Sequence, residues 1–274
     1  MEDLTGRRLV VVTGASSGIG LAAAVDLARR GDQVVLVGRD PARLQSAAEQ
    51  VREAAGERPA LFRADFAVLD DVRRLAGELR EAYDRIDVLA NNAGAIVLQP
   101  LTTVDGFELS IQANHLAPFL LSNLLRDRIG RMVVTASGAH RSGVLDPADL
   151  NASLRRYRPI QAYGTSKQAN ILFTAEAARR WPEIPAYSFH PGVVRSRFGN
   201  DSRLVELGMR ILPLRSPEKG AETLVWLANQ DPARLVTGGY YADRRPRRPL
   251  RKAADPQLAA RLWTASADAV GIAG

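Results

Sequence analysis

Short apolar runs alternate with longer amphipathic segments along most of this 274-residue chain. The short runs are apolar at nearly every position, which predicts strands buried on both faces of a parallel sheet. We predict strands at 8–13, 33–37, 59–64, 86–90, 131–135, 186–189 and 239–242. The longer segments predict helices at 18–30, 41–55, 68–83, 105–125, 162–180 and 217–229, with an irregular insertion at 142–159.

Capping residues support several helix boundaries. Asp40 and Ser216 are placed to cap the N-termini of the second and the last of these helices, and Gly31 is placed to stop the first. Pro118 lies inside the predicted helix at 105–125, where it predicts a bend.

The alternation of strands and helices predicts right-handed βαβ crossovers. We therefore predict an α/β fold consisting of a single Rossmann-type domain, doubly wound, with a mostly parallel, seven-stranded sheet and helices on both faces. The nucleotide-binding and catalytic domain is expected at 1–243, with a substrate lid at 195–213 and a basic C-terminal tail extension at 244–274.

Composition argues against several kinds of site. The chain has no cysteine, which excludes disulfides and thiolate metal ligands, and its three histidines lack metal-binding spacing. We expect no metal. The N-terminus lacks the apolar stretch of a signal peptide, and no apolar run is long enough to span a membrane, so a cytoplasmic protein is expected.

Positive charge is concentrated near the C-terminus. The formal net charge is +7, and six basic residues lie within 244–252. We interpret this segment as a solvated surface tail; the alternatives are an anion-binding patch near a site entrance or weak contact with nucleic acid. No nucleic-acid-binding motif accompanies it, so no nucleic-acid partner is expected.

A tyrosine and a lysine lie four residues apart in a predicted helix. Tyr163 and Lys167 therefore share one helix face. A nearby ammonium stabilises phenolate, so we expect the pKa of Tyr163 to lie well below its reference value of about 10. The pair predicts a proton donor and acceptor that works near neutral pH.

A glycine-rich turn follows the first strand and opens the first helix, which is the context in which such a turn binds phosphate. Its glycine spacing differs from the standard GxGxxG, but it still permits a tight turn beside the free N–H groups of a helix N-terminus. The alternative is a purely structural turn. The cofactor contacts expected here are Gly14, Ser16, Ser17, Gly18, Ile19 and Gly20.

Arg39 follows the end of the second strand. An acidic residue there would bind the ribose of NAD, whereas an arginine accepts the 2′-phosphate of NADP. We predict NADP(H) as the cofactor rather than NAD(H). The alternative is an arginine that only faces solvent.

Several motifs occur in a fixed order along the chain: Thr13–Gly20, Asn91–Gly94, Asn114, Ser137, Tyr163 with Lys167, and Pro191–Gly192. With this ordered set, residues 7–242 resemble the short-chain dehydrogenases/reductases. Four segments resemble more narrowly the branch that contains retinol dehydrogenases and protochlorophyllide reductases, which generally prefers NADP: 105–108, 114–119, 162–170 and 190–194.

The resemblance implies a catalytic set of four residues. Tyr163 is the general acid in carbonyl reduction and the base in alcohol oxidation, and Lys167 lowers its pKa and binds the nicotinamide ribose. Ser137 donates a hydrogen bond to the substrate oxygen. The backbone of Asn114 holds a water that connects the lysine to solvent.

The resemblance also implies cofactor contacts at the ends of later strands. Asn91 is expected to line the cofactor cleft and brace the central strands, and Asp65 to contact the adenine. The full set beyond the glycine turn and Arg39 is Asp65, Phe66, Asn91, Ala93, Gly94, Tyr163, Lys167, Pro191, Gly192, Val194 and Ser196.

Other features concern the pocket and assembly. Segments 94–101, 138–144 and 195–212 predict a largely apolar pocket, although the arginines of the third could instead recruit an anionic group. His115 and His190 are interpreted as packing residues; His140 either packs or faces the substrate cleft. The resemblance implies a homodimer or homotetramer formed through the long helix and the helix that carries Tyr163.

The sequence thus predicts an NADP(H)-dependent oxidoreductase that interconverts an alcohol and a ketone or aldehyde on a largely apolar small molecule. One alternative is an NADP(H)-binding regulatory protein that has lost catalysis. Another is an anion- or nucleic-acid-binding protein that uses the basic tail.

Overall fold

The computed structural model describes residues 6–194 and 214–273. Within this part of the chain, eight strands form one sheet in the order β3-β2-β1-β4-β5-β6-β7-β8. All neighbouring strands are parallel except β7 and β8, which pair antiparallel. The strands are β1 (Leu9–Thr13), β2 (Gln33–Gly38), β3 (Ala60–Arg63), β4 (Val88–Asn91), β5 (Met132–Thr135), β6 (Ala186–His190), β7 (Tyr240–Ala242) and β8 (Arg245–Arg247).

The helices cover both faces of this sheet. They are α1 (Gly18–Arg29), α2 (Pro41–Ala55), α3 (Leu69–Ala82), α4 (Leu109–Ile111, Gln112–Leu116 and Ala117–Leu124), α5 (Ala152–Arg155), α6 (Pro159–Arg180), α7 (Pro217–Asn229) and α8 (Pro256–Val270). One apolar core joins the sheet to α3, α4, α6 and α8, and a second joins it to α1, α2 and α7. The doubly wound α/β fold predicted from the sequence is confirmed.

Local capping signals account for the helix boundaries that the sequence predicts well. The carboxylate of Asp40 accepts a hydrogen bond from the Arg43 N–H at 3.1 Å, and the hydroxyl of Ser216 accepts one from the Lys219 N–H at 3.3 Å. Gly31 follows α1 with φ +95°, a conformation that favours glycine.

The helix α4 differs from its prediction at 105–125. It begins at Leu109, because the buried carboxylate of Glu108 accepts hydrogen bonds from the next two free N–H groups, at 2.8 and 3.0 Å. Instead of a simple bend at Pro118, the helix has a π-helical segment at Gln112–Leu116. Pro118 has no N–H, so it cannot donate the α-helical bond to the carbonyl of Asn114.

The sequence predicts no helix or strand after residue 242, whereas the structure has β8 and α8 there. All three residues of β8 are exposed, so this strand carries no apolar signal. The helix α8 does carry one, because Ala259, Trp263 and Ala267 recur at helical spacing and are buried. That pattern was available in the sequence and was missed.

The helix α8 covers parts of the two helices expected to mediate assembly. Leu262 packs in one cluster with Ile111 of α4 and Leu172 of α6. The Trp263 ring lies 5.0 Å from that of Phe119 and meets it edge to face. The surfaces of α4 and α6 beneath α8 are therefore not accessible to a second subunit.

Within the described residues, no helix is both long and apolar enough to cross a membrane.

Candidate active site

The candidate catalytic and cofactor residues converge at the carboxyl ends of the central strands. β1 and β4 are neighbours although β2 and β3 intervene in the chain, so the order of the strands reverses here. An open α/β sheet forms its ligand crevice at such a switch point. The glycine-rich turn follows β1, and Ser137 lies just beyond β5.

The glycine-rich turn is shaped for a backbone-lined phosphate site. Gly14 has φ +66°, and a Cβ on it would lie 2.8 Å from the Cα of Ala93. A Cβ on Gly20 would lie 2.6 Å from the side-chain nitrogen of Asn92. The helix α1 begins at Gly18, and Ser17 at its N-cap makes no side-chain capping bond. These features fit the pyrophosphate of a dinucleotide, because free N–H groups and the positive helix end favour an anion.

Replacing Gly20 with alanine tests this fit. The added methyl would overlap the Gly14 carbonyl oxygen and the Asn92 side chain, so we expect a shifted turn and dinucleotide binding weakened by at least about tenfold. Gly77→Ala is the matched control, since Gly77 is exposed in α3 with open space around a Cβ. That change should leave binding intact and stabilise the helix by roughly 0.5–1 kcal/mol. Equal nicotinamide-fluorescence titrations for the two variants would contradict the expectation.

The residues expected at the adenosine end also lie together. Arg39 is 72% exposed, and its guanidinium lies 3.6 Å from a carboxylate oxygen of Asp65. A Cβ on Gly38 would lie 3.3 Å from the Cβ of Ser16, so the absence of a side chain keeps this end of β2 close to the glycine turn. Phe66 is buried. Arg39 stays mostly exposed despite this ion pair, so its guanidinium can bind a phosphate.

Bracing of the central strands, expected of Asn91, is performed by Asn92. The Asn92 side chain donates to the carbonyl of Thr13 at 3.0 Å and accepts from the Thr135 hydroxyl at 3.3 Å, which ties β1 to β5. The hydroxyl of Thr13 accepts bonds from the N–H groups of Asn92 and Ala93 at 2.9 and 3.0 Å. Asn91 is buried and donates instead to Ser122 of α4 at 2.8 Å.

Asn114 joins three parts of the site through its side chain. Its amide oxygen accepts from the Ala95 N–H at 2.8 Å, and its amide nitrogen donates to the Ala95 carbonyl and to the Ser166 hydroxyl, each at 2.9 Å. A Cβ on Gly94 would lie 2.9 Å from this amide oxygen and 3.2 Å from Lys167 Nζ. Asn114 therefore positions the loop after β4 against α6, the helix that carries Tyr163 and Lys167.

Lys167 is almost fully buried beneath Tyr163. Its Nζ donates to the carbonyl of Thr135 at 3.0 Å and lies 5.5 Å from the centre of the Tyr163 ring. Burial lowers the pKa of Lys167 to about 7. Asn170 donates to the same carbonyl at 3.1 Å. Sequence reasoning missed Thr135 and Asn170, although the position of Thr135 at a strand end was a usable signal.

The expected low pKa of Tyr163 is wrong for this structure. Burial raises the pKa of Tyr163 to about 12, and a hydrogen bond with Ser137 acts in the opposite direction without cancelling it. The ring keeps some exposure to solvent. Ser137 and Tyr163 are thus brought together as predicted, with the phenol protonated at neutral pH.

The loop after β6 is held at its base. Gly192 has φ +87°, the Arg215 N–H donates to the carbonyl of Val193 at 2.7 Å, and Val194 is buried against Gly220. Pro191 is buried. The predicted contact Ser196 and the predicted lid at 195–213 lie outside the described residues.

The three histidines are all tied to other residues of the protein. His115 is fully buried and lies 2.9 Å from the Ser266 hydroxyl of α8. His190 accepts the N–H of Gly138 at 3.0 Å. His140 is 1% exposed, so the interpretation that it faces the substrate cleft is wrong.

Similarity to known proteins agrees with this geometry. The short chain dehydrogenase family profile matches residues 8–206. A Streptomyces sp. (strain C5) protein named as a candidate daunorubicin C-13 ketoreductase, DnrU, is 54% identical over 96% of this chain and 93% of its own length. Human retinol dehydrogenase 13 is 36% identical over 97% of this chain and 85% of its own.

Solved structures show the same relationship. The crystal structure of an uncharacterised protein from Mycobacterium paratuberculosis aligns with a TM-score of 0.81 at 35% identity, covering 97% of this chain and 94% of that one. A dehydrogenase/reductase from Sinorhizobium meliloti aligns with a TM-score of 0.67 at 28% identity, covering 85% and 92%. Proteins of this family use NAD(P)(H) to oxidise hydroxyl groups or reduce carbonyl groups. The chain belongs to the short-chain dehydrogenase/reductase family, its relatives include retinol dehydrogenases, and it is an oxidoreductase.

Proposed function

We propose that this protein is an NADP(H)-dependent reductase of a ketone or aldehyde on a largely apolar small molecule, able to run the reverse oxidation. The observation that carries the proposal is the meeting of Ser137 and Tyr163 above a buried Lys167, beside a glycine turn that fits a dinucleotide. Tyr163 supplies the acid, and Ser137 supplies the donor that polarises the carbonyl group.

In this proposal each catalytic residue has one task. Tyr163 donates its phenolic proton to the substrate oxygen, while Ser137 donates a hydrogen bond to the same oxygen and stabilises its developing charge. NADPH, when bound, supplies the hydride for the carbonyl carbon. The ammonium form of Lys167 places positive charge near Tyr163, and Asn114 keeps the loop at Ala95 in place. The raised pKa of Tyr163 supports reduction at neutral pH, because the phenol stays protonated.

The preference for NADP(H) rests on Arg39. Its exposed guanidinium beside Asp65 is placed to donate charge-assisted hydrogen bonds to a 2′-phosphate. We expect tighter binding of NADPH than of NADH, and an Arg39→Ala variant that loses affinity for NADPH by about tenfold or more. Its affinity for NADH should stay unchanged. Nicotinamide fluorescence at two salt concentrations measures both, and NADH preference in the unmodified protein would overturn the assignment.

Arg52→Ala is the control for this experiment. Arg52 is also an exposed arginine near a carboxylate, pairing with Glu49 on α2, but it lies outside the site. Its removal should leave the affinities for both nucleotides unchanged. A similar loss of NADPH affinity in both variants would indicate a general effect of charge instead of a phosphate contact.

The substrate class is drawn from the relatives and from the rim of the site. Ile160 lies in the first turn of α6, and its carbonyl accepts a hydrogen bond from Ser142 of the Ser137 loop. The N–H of Val144 donates to Thr165 of α6. The side chains of Val144 and Ile160 are each more than half exposed. An apolar rim suits an apolar skeleton. The names of the relatives provide two probes, daunorubicin and retinal. NADPH oxidation with either would support the proposal, and daunorubicin is the first to test given the 54% identity. Failure with both and with a panel of apolar ketones and aldehydes would contradict it.

Assembly and location remain predictions. The helix α8 leaves less of α4 and α6 for a homodimer or homotetramer than the family resemblance implies. Light scattering of the purified protein would decide the assembly, and cell fractionation the cytoplasmic location.

A further inference from the structure

The residues after β8 reach back to the catalytic centre. Leu250–Ala253, which we call the strap, crosses both the loop that carries Ser137 and the helix α6. Within the strap, the Lys252 ammonium donates to the carbonyl of Gly143, and the Lys252 carbonyl accepts from Gln168 of α6 at 3.3 Å. Ala253 is fully buried in a cluster with Ala136, which follows β5, and with residues of α6 and β7. The segment interpreted from the sequence as solvated tail is thus partly built into the site.

His140 joins the strap to the catalytic serine. The N–H of Leu250 donates to Nε2 of His140 at 3.2 Å. Since Nε2 accepts, the proton of the neutral ring belongs on Nδ1, which lies 2.7 Å from the carbonyl of Ser137 and donates to it. The ring of Tyr240 meets the imidazole edge to face, with centres 5.3 Å apart. One imidazole therefore connects the strap to the backbone of Ser137.

The surroundings of His140 keep it in this neutral form. Burial lowers the pKa of His140, the hydrogen bond to the Ser137 carbonyl opposes that shift, and the positive charges of Arg141 and Lys252 add to it. A protonated ring would direct a second N–H at the N–H of Leu250 and lose that bond. At neutral pH both hydrogen bonds are retained.

The loop held by His140 packs directly on α6. A Cβ on Gly164 would overlap the Ala139 carbonyl and the Ser142 hydroxyl, and a Cβ on Gly143 would lie 2.6 Å from the Gly164 carbonyl. Gly164 is the residue after Tyr163. With no side chain between loop and helix, a small movement of the loop changes the distance from Ser137 to Tyr163 directly.

We propose that the strap and His140 are positioning elements that hold Ser137 in hydrogen-bond register with Tyr163. The inference rests on the proposed function, because it requires Ser137 and Tyr163 to act on one substrate oxygen. It assigns a role in turnover to the C-terminal segment, which contributes no group to the chemistry itself. Misplacement of a reacting group by about 1 Å can lower the rate by about 100-fold, so a strap of this kind should affect kcat.

The hydrogen bond from Leu250 can be removed by one substitution, which also places the proline ring where the N–H meets His140. Leu250 has φ −61°, which proline adopts without strain, so Leu250→Pro removes the N–H that binds His140. Leu250→Ala also loses the leucine side chain but keeps the N–H, which makes it the matched control. We expect kcat for carbonyl reduction to be about 10- to 100-fold lower in Leu250→Pro than in Leu250→Ala. The two variants should have the same Kd for NADPH. Their kcat values are compared well below both melting temperatures, because loss of the donor to the buried Nε2 of His140 should lower the melting temperature of Leu250→Pro.

A double-mutant cycle tests whether the bond from Leu250 affects turnover through His140. If the bond acts through His140, then His140→Ala should lower kcat, and adding Leu250→Pro to it should lower kcat little further. Equal kcat in Leu250→Pro and Leu250→Ala would overturn the positioning role of the strap. So would a double variant whose loss in kcat is the product of the two single losses. Either result would leave the proposed function intact. An inactive unmodified protein would overturn both. Arg245→Ala on exposed β8 should retain full activity, because the proposal depends on the strap and not on nearby charge.

Discussion

Replacing Tyr163 with phenylalanine is expected to lower kcat for carbonyl reduction by about 10²- to 10⁴-fold, the usual contribution of a positioned acid or base. The change removes the proton donor and keeps the ring, under which Lys167 Nζ lies 5.5 Å from the ring centre. The dinucleotide should still bind, because the glycine turn is untouched. Steady-state kcat and a fluorescence titration with NADPH measure the two properties separately.

Tyr187→Phe is the matched control for this loss. The hydroxyl of Tyr187 in β6 is buried and has no hydrogen-bond partner among the described residues, so its removal should leave activity intact and not destabilise the fold. Turnover of Tyr163→Phe at the level of the unmodified protein would rule out the acid–base role of Tyr163. Loss of NADPH binding together with kcat would instead indicate damage to the nucleotide site.

Replacing Lys167 with methionine is expected to stabilise the fold at and below neutral pH while abolishing turnover. Lys167 is 2% exposed, and burial lowers the pKa of its ammonium to about 7. Its only hydrogen bond among the described residues is to the carbonyl of Thr135, which still accepts from Asn170 at 3.1 Å after the change. No buried polar group is therefore left without a partner, and a costly buried charge is removed.

The pH dependence of this stabilisation follows from the two protonation states. The pKa of Lys167 falls from 10.5 in the unfolded chain to about 7 in the fold, so between these values the unfolded chain binds more protons. The free energy of unfolding is thus highest at high pH, where Lys167 is neutral in both states, and it decreases as pH falls towards 7. Each unit of the shift corresponds to about 1.4 kcal/mol, so the variant should gain several kcal/mol below pH 7 and little near pH 10.

Denaturant unfolding at about pH 6, 8 and 9.5 measures this difference. Lys219→Met is the control, because Lys219 is exposed and its loss should change stability little at any of these pH values. A Lys167→Met variant that is less stable at pH 6, or whose gain does not shrink as pH rises, would contradict the interpretation.

Where local chemistry decides a boundary, the sequence predicted it closely. The helices α2 and α7 match their predicted ranges residue for residue, because Asp40 and Ser216 cap their first N–H groups. The seven predicted strands differ from the observed ones by two residues at most at either end. The helix α4 begins four residues after its predicted start at Asp105, because the carboxylate of Glu108 accepts the free N–H groups of the first turn.

β8 and the strap were predicted poorly because their structure depends on distant partners. β8 has no apolar face and exists through its pairing with β7. Similarly, the strap is held by His140, Gly143 and Gln168, which lie about 80 to 110 positions earlier in the chain. Basic residues and prolines in this segment suggested solvent exposure, and no local pattern indicated the contacts.

The sequence by itself determined the doubly wound fold, the glycine turn and the order of the candidate catalytic residues. Periodicity, caps and strand ends are local properties, and they bring Asn114, Ser137, Tyr163 and Lys167 to one end of the sheet. Only the tertiary structure decided the electrostatics of the site: the pair spacing favoured a lowered Tyr163 pKa, and burial raised it instead. The tertiary structure also decided that Asn92 braces the strands and that the strap reaches His140. Burial and long-range hydrogen bonds depend on what surrounds a residue in space, which spacing along the chain does not specify.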